Sequence, residues 1–588
     1  MDRGTVIDLL RRNAAEHPDI LAIVDGDSRL TWGEYASGAG AVALALLDLG
    51  VRRGEVVGLH MVNRAEHVLS DLGALLAGAI PTSYYNTLTH DQLAYVAADS
   101  ACRVAIVDAD KLDTWLAIRD RLPRLRALVV VGGEAQGPVV SYEDIVARAA
   151  RAYGDRWQEV GRTAARVRPE DTATIVYTSG TTGHPKGAVI THAGIRAALD
   201  GVVGRAVEDI GGHPAPGYAQ ISYLPLAHMA ERTITHYLAC RIASTVTYVR
   251  DIRELADALP AVRPQVFLAV PRVWEKLRSA VVSRAADRTL LRRAVVVATA
   301  AGRLGPLGRI EHALHRPFHR AIRARLGLDR MVIAVSGAAP IPPDVLAFFR
   351  GIGVPVVEAY GMTETSAVLT IDSLRSPTPG TVGRPLPGVE LRIAADGEIL
   401  AKGTTIVPGY HNRPDADAEA FDADGWLRTG DLGSLDADGR LRVTGRKKEL
   451  IITAAGKNIS PANVEQAIGS ASDLIGSVYA HGDGKPYLVA LLTLDATSWK
   501  PWCQARGVPA RTTAEAAAHP AVLAEVARAV AAGNTRLSRV EQVKRWALLD
   551  RPWDGTTGEL TPTLKLKRPV IREKYAADLA ELHRSPRT

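Results

Sequence analysis

Along the first part of the chain, short apolar runs alternate with stretches whose apolar residues recur every three or four positions. The runs Val56-Val57-Gly58-Leu59, Ala79-Ile80-Pro81, Val104-Ala105-Ile106-Val107 and Leu128-Val129-Val130-Val131 predict successive buried strands, and the periodic stretches between them predict helices. Thr31 and Glu34 have the spacing of a capping box ahead of a helix over Tyr35–Leu49. From Val273 to Arg330 the chain is helical in character and rich in Ala, Leu and Arg. Its Gly-Arg-Leu-Gly-Pro-Leu-Gly interruption at Gly302–Gly308 is expected to link two helices, because no strand precedes it as a dinucleotide loop would need. After Val382 the texture shifts to short strands and turns: Val389–Ile393, Gly397–Leu400, and a hairpin turn at Asp436–Arg440. Another boundary falls at Gly445-Arg446-Lys447-Lys448, and a smaller α+β unit follows. Within it the Ala-rich Thr512–Ala532 is expected to form a solvent-facing helix pair. The fold class is therefore α/β. Residues 1–445 form a large N-terminal domain of layered α/β subdomains plus a β-rich subdomain, and residues 446–588 a small α+β C-terminal domain.

Length supports the division, since 588 residues are too many for one core. With 47% apolar and 23% charged residues the composition is that of a globular protein, and no apolar run reaches the roughly 18 residues of a membrane span. The start, MDRGTVIDLLRRNAAEHPD, lacks the apolar stretch of a signal peptide. Cys102, Cys240 and Cys503 lie far apart without metal-ligand spacing, which suits free thiols in a reducing cytoplasm. A net charge of +7 suits polyanionic ligands such as nucleotides. The apolar content and the lack of a dense basic run argue against nucleic acid. Peripheral membrane contact and a homodimer stay open. The arginines of Arg284–Arg325, spread at helical intervals, are expected on a solvated helix face.

The sharpest chemical signal is Tyr177–Gly187, YTSGTTGHPKG, between the strand-like runs Thr174–Tyr177 and Ala188–Ile190. Small residues let the backbone close around a polyanion, hydroxyls and amides donate to phosphate oxygens, and Lys186 adds a mobile positive charge. A Walker loop ends in Gly-Lys-Ser/Thr, whereas this segment ends in Pro185-Lys186-Gly187, so the cradle is of another kind.

YTSGTTGHPKG resembles the phosphate-binding signature of the adenylate-forming superfamily: acyl-CoA synthetases, peptide-synthetase adenylation domains and firefly-type luciferases. Further motifs follow in that family's order from Ser336 to Lys565. The resemblance implies that Thr178, Ser179, Gly180, Thr181, Thr182, Gly183 and Lys186 hold the phosphates of ATP. Ser336-Gly337-Ala338-Ala339-Pro340 follows a strand-like run and matches the wall beside adenine and the acyl pocket, at Gly337 and Ala338. Tyr360-Gly361-Met362-Thr363-Glu364 matches the YGMTE segment: Tyr360 stacks on adenine beside Gly361, Thr363 meets the α-phosphate, and Glu364, with Thr178, holds Mg2+. In Gly425–Asp431, Asp431 corresponds to the acceptor of the ribose hydroxyls, and Arg446 to the arginine that contacts ribose. Lys448 falls at the hinge residue, which makes the C-terminal domain mobile; Gly456 falls on the loop lining the pantetheine tunnel. In LTPTLKLKR, Lys565 matches the C-terminal lysine that reaches the carboxylate and α-phosphate. Leu564 stands where Gly is common, and Lys567 remains the alternative.

SYLPLAHMAER at Ser222–Arg232, RPQVFLAVPRVWEKL at Arg263–Leu277 and RVEQVKRWALL at Arg539–Leu549 resemble long-chain fatty acyl-CoA synthetases. That branch places His228 at the mouth of the acyl pocket as a gate or positioning group. The implied reaction joins a medium- to long-chain fatty acid to ATP with loss of pyrophosphate, then passes the acyl group to coenzyme A with release of AMP. Two alternatives stay open: an acyl-AMP ligase that serves a carrier protein, and, more remotely, a non-catalytic adenylate-binding regulator.

Overall fold

The computed structural model describes residues 4–135, 137–178, 184–285, 289–300, 306–454, 456–553, 557–561 and 565–584. It separates into two compact units. One comprises residues 1–392, 400–428 and 436–441; the other comprises residues 393–399, 429–435 and 442–588.

In the first unit the four predicted apolar runs are strands Val56–His60, Ile80–Ser83, Val104–Asp108 and Ala127–Val131. With Val139–Ser141 they make a wholly parallel five-stranded sheet, Val56–His60 lying between Ile80–Ser83 and Val104–Asp108. Buried on both faces, such strands need continuous apolar sequence, which is why they were readable. Thr31 and Glu34 do form the capping box, and the helix therefore starts at Trp32, directly after its cap, and ends at Asp48. A second sheet sets Ala219–Ser222, Thr245–Tyr248 and Leu21–Asp25 in parallel, with Ser28–Thr31 antiparallel at the edge.

A third sheet places the chemistry. Val266–Ala269, Ile333–Ser336 and Val356–Tyr360 run parallel, with Val335 opposite Val357 and Ser336 opposite Glu358. The segments at Ser336 and Tyr360 thus leave neighbouring strands at the same carboxyl edge, where ligands of open α/β sheets bind. Trp274, of the VWEKL segment, is fully buried between Phe267 and Phe349, at ring separations of 5.6 and 4.9 Å. It is a core residue. Helices Pro271–Ala285, Thr289–Ala300, Pro306–Leu314 and Arg316–Leu326 fill the predicted helical stretch. The Gly302–Gly308 break is shorter than expected. Residues 301–305 lie outside the described residues, and Pro306–Gly308 already belong to a helix, since proline suits a helix's first turn.

The strands Val389–Ile393, Glu398–Gly403, Leu427–Leu435 and Leu441–Arg446 form one sheet, with the expected turn at Asp436–Arg440. In the second unit Ile475–His481 pairs antiparallel with Leu488–Leu494, which pairs in parallel with Val543–Leu548. The Ala-rich segment is the predicted helix pair, Thr513–Ala518 and Pro520–Asn534, but it is not merely solvent-facing. Ala516, Val522, Val526, Ala529 and Val530 are buried in this unit's core, because alanine permits close helix packing.

Candidate active site

Strands Thr172–Thr178 and Lys186–Thr191 form an antiparallel hairpin with Thr178 opposite Lys186. Ser179, Gly180, Thr181, Thr182 and Gly183, its apex, lie outside the described residues. The shoulders are tied to one helix, His90–Asp99: the Tyr177 hydroxyl donates to Asp99 at 2.6 Å, and His184 stacks on Tyr95 with ring centroids 4.4 Å apart. Lys186 Nζ lies 3.4 Å from the Glu419 carboxylate and 5.5 Å from the centre of the Tyr410 ring.

Tyr410 joins two motifs that are distant in sequence. It bridges Ala188 at the hairpin edge, where Val189 N donates to Gly409 O and His411 N to Gly187 O. From there its hydroxyl donates to Glu364 Oε1 at 2.7 Å. Lys186, over its ring, and Glu364, at its hydroxyl, therefore meet at one tyrosine within one unit. Nothing in the sequence marks Tyr410; only the strand-edge pairing brings it here. Glu364 is buried in the single helical turn Thr363–Thr365, and Thr363 beside it is partly exposed. Gly361 fits because a Cβ there would lie 2.1 Å from the Ala367 carbonyl oxygen. Tyr360, half-buried, packs on the main core and pairs with Thr370. Two residues before it, burial and the nearby Asp372 raise the Glu358 pKa to about 7 against the pull of Arg350.

At the small-residue wall a Cβ on residue Gly337 would lie 3.3 Å from the Ala359 carbonyl oxygen. Ala338 adopts a left-handed conformation, φ +69°, which costs a non-glycine residue about 1 kcal/mol. His228 caps the short helix Met229–Glu231, its Nδ1 accepting from Ala230 N at 3.2 Å, a positioning duty inside the backbone. Beyond it the chain makes a π-helical turn, Arg232–Tyr237, that turns polar groups inward. Arg232 pairs with Asp71, which also accepts from the Tyr237 hydroxyl at 2.9 Å, and Arg232 donates to Ser83 at 2.8 Å. Glu231 is fully buried, and Ser222, Thr235 and the Tyr223 backbone lie around its carboxylate and favour its charged form, though less than burial opposes it. Burial drives its pKa up to about 8.

The second unit holds the other candidates. Arg446 Nε donates to Asp431 Oδ1 at 3.0 Å, and Asp431 N donates to Thr429 Oγ1 at 3.1 Å. Lys565 is tied to Thr561: its N donates to Thr561 Oγ1 at 3.0 Å, and Thr561 N donates to Lys565 O at 2.8 Å. Although the residue as a whole is exposed, protein packed around the ammonium lowers its pKa. The Arg446 charge adds to that, and Asp431 and Glu449 oppose it. Lys565, Arg446 and Asp431 thus form one electrostatic group. Arg568 anchors the segment through Glu449 at 3.0 Å and Glu465 at 2.6 Å, a role that an arginine in a basic tail does not announce. Lys567 instead stands at the cap of helix Arg568–Lys574. Lys448 is exposed in the turn Lys447–Glu449, and Lys447 beside it is held by Asp396 at 2.5 Å and Glu398 at 2.9 Å. Gly456 takes φ +72°, a left-handed turn suited to glycine.

Residues 10–411 match the family described as AMP-binding enzyme, and residues 448–586 match the AMP-binding enzyme C-terminal domain. The chain belongs to the AMP-binding enzyme family. Among its relatives in that family is fadD11 of Mycobacterium tuberculosis, which carries the name fatty-acid–CoA ligase. It is 45% identical over 453 residues, 74% of this chain and 77% of its own length. The long-chain-fatty-acid–CoA ligase FadD15 of Mycobacterium bovis is 36% identical over 577 residues, 95% of this chain and 93% of its own. Among solved structures the anthranilate CoA ligase AuaEII, in complex with anthranoyl-AMP, superposes with a TM-score of 0.74 over 98% of both chains. At 22% identity it shows the shared fold.

Proposed function

We propose that this member of the family is an ATP-dependent long-chain-fatty-acid–CoA ligase, which forms acyl-AMP and pyrophosphate, then acyl-CoA and AMP. The names of FadD15 and fadD11 support the substrate class. For the chemistry, the observation that carries the reading is the grouping of Lys565 with the Asp431–Arg446 pair.

A carboxylate is a poor electrophile, so its oxygen must first become part of a leaving group. Attack on the α-phosphate gathers negative charge, and Lys565 and Lys186 supply the opposing positive charge. No base is required, because a fatty acid is already ionised at neutral pH. Asp431 accepts from ribose hydroxyls, with Arg446 holding the carboxylate in place. Tyr360, Gly361, Gly337 and Ala338 border the adenine, and Thr363 donates to the α-phosphate. The donor set fits Mg2+: Glu364 is a buried carboxylate steadied by Tyr410, Thr178 adds a hydroxyl, and Mg2+ prefers one or two carboxylates with substrate phosphates. When bound, the ion supplies charge neutralisation to the phosphates.

For the second half-reaction we assign Lys448, shortly after the expected domain boundary at residues 445 and 446, as the hinge that withdraws Lys565, and Gly456 as part of the loop that admits the coenzyme A thiol. His228 positions the mouth of the acyl pocket through the short helix that it caps. Three buried free thiols support a reducing cytoplasm as the site of action. Among the described residues no helix is long and apolar enough to cross a membrane.

Substrate class is tested by AMP or hydroxamate release with fatty acids from roughly C6 to C20. Each buried methylene contributes about 0.8 kcal/mol, so kcat/KM climbs several-fold per carbon until the pocket ends. A flat profile, or a preference for benzoate, would overturn the long-chain assignment and leave adenylate formation untouched.

A further inference from the structure

The four most exposed large aliphatic side chains among the described residues all belong to one pair of adjacent helices. They are Leu290 (63%) and Val296 (55%) on Thr289–Ala300, and Ile310 (58%) and Leu314 (72%) on Pro306–Leu314. Leu290, Arg293 and Val296 follow at intervals of three on one side of the first helix, and Ile310 and Leu314 stand one turn apart on the second. An ion pair between Arg293 and Glu311 clasps the two helices, so the two apolar stripes are held on linked helices. Scattered exposed aliphatics are ordinary, but a patch that also lies in a strongly charged stretch is not.

The charge is equally concentrated. Arg284–Arg325 holds ten arginines and no lysine, against only Asp287 and Glu311. That surplus of eight exceeds the net +7 of the entire chain. Arg292, Arg309, Arg316 and Arg320 are exposed around the apolar residues. Helices with aliphatic side chains standing out among arginines lie well in the headgroup region of a bilayer. There the apolar groups enter the acyl boundary and the guanidinium groups meet anionic headgroups. A second copy of this +7 chain would bring like charges together at the same patch.

From this we infer that helices Thr289–Ala300 and Pro306–Leu314 are a docking surface for an anionic lipid bilayer. The surface deepens the proposed function by supplying substrate that partitions into membranes, but docking itself requires no turnover.

The test is co-sedimentation of the full-length chain, without substrates, with vesicles of phosphatidylcholine alone or containing about 30 mol% phosphatidylglycerol. Anionic vesicles should pellet the protein, neutral ones far less, and salt should weaken binding. Leu290→Ser/Ile310→Ser/Leu314→Ser should weaken binding at least about tenfold. Arg292→Glu/Arg309→Glu/Arg316→Glu should lose on the order of 100-fold. All six positions are exposed, and both variants should turn over a short, water-soluble fatty acid at the wild-type rate. Equal binding by wild type and variants, or none to anionic vesicles, would overturn the proposal. So would a dimer in lipid-free sedimentation that the Ser variant abolishes, because the occupant would then be a second copy. Lack of turnover of the soluble acid would count against the ligase reading alone.

Discussion

At the scale of single residues, the account rests on a division of labour around Lys565. Its ammonium feels the charges of Arg446 and Asp431, and a cation is needed only while charge builds on the α-phosphate. Lys565→Ala should lower pyrophosphate release by about 10²–10³, the usual loss for one charge-assisted contact, and leave thioester formation from synthetic acyl-adenylate near the wild-type rate. Equal loss of both steps would end the division, and a loss confined to Lys567→Ala would move the assignment to that residue. Glu231 makes a separate prediction about stability. Its folded pKa is raised from the ordinary carboxyl value of 4.5 to about 8, so the fold favours the protonated form. Between those values the native state binds more protons than the unfolded state. The contribution is present in full below about pH 4.5 and is lost as pH rises through 8, a change on the order of 5 kcal/mol. Glu231→Gln cannot ionise, so its melting temperature relative to wild type should rise between pH 5 and pH 8.5. A constant difference across that range would refute the buried neutral acid. Such residues were poorly legible in sequence. SYLPLAHMAER gives no sign that its glutamate is fully buried, and Tyr410 meets Glu364 only through strand-edge pairing.

Elements were more legible because local chemistry determines them. The capping box at Thr31 and Glu34, the apolar runs of the parallel sheet and the Asp436–Arg440 turn each carry their own signal, and each is present. Errors arose where tertiary packing decides. Alanine-rich helices looked solvent-facing because alanine scores neutrally, yet Ala516 and Ala529 pack into a core. The glycines of Gly302–Gly308 hid the helix start that Pro306 provides. At this scale the hinge can be tested. Lys448 lies in the turn Lys447–Glu449, and proline there would fix φ near −65°. If Lys448 absorbs a rotation between half-reactions, Lys448→Pro should still release pyrophosphate while coenzyme A transfer falls steeply. Unchanged overall turnover would refute the assignment.

For the molecule as a whole, two compact units with separate cores carry two halves of the proposed chemistry: Lys186, Tyr410 and Glu364 in one, and Asp431, Arg446 and Lys565 in the other. The need for more than one core was legible from length, and the order of motifs implied the reaction. The helix-pair surface was not, because arginines at helical spacing give no sign of which aliphatic side chains stand outside. The most direct test follows the fate of ATP and a long-chain fatty acid with the purified chain, with and without coenzyme A. Acyl-CoA and AMP should appear in equal amounts only when coenzyme A is present, and pyrophosphate with enzyme-bound acyl-AMP should appear without it. Acyl-AMP that persists when coenzyme A is added, with no thioester formed, would contradict the account.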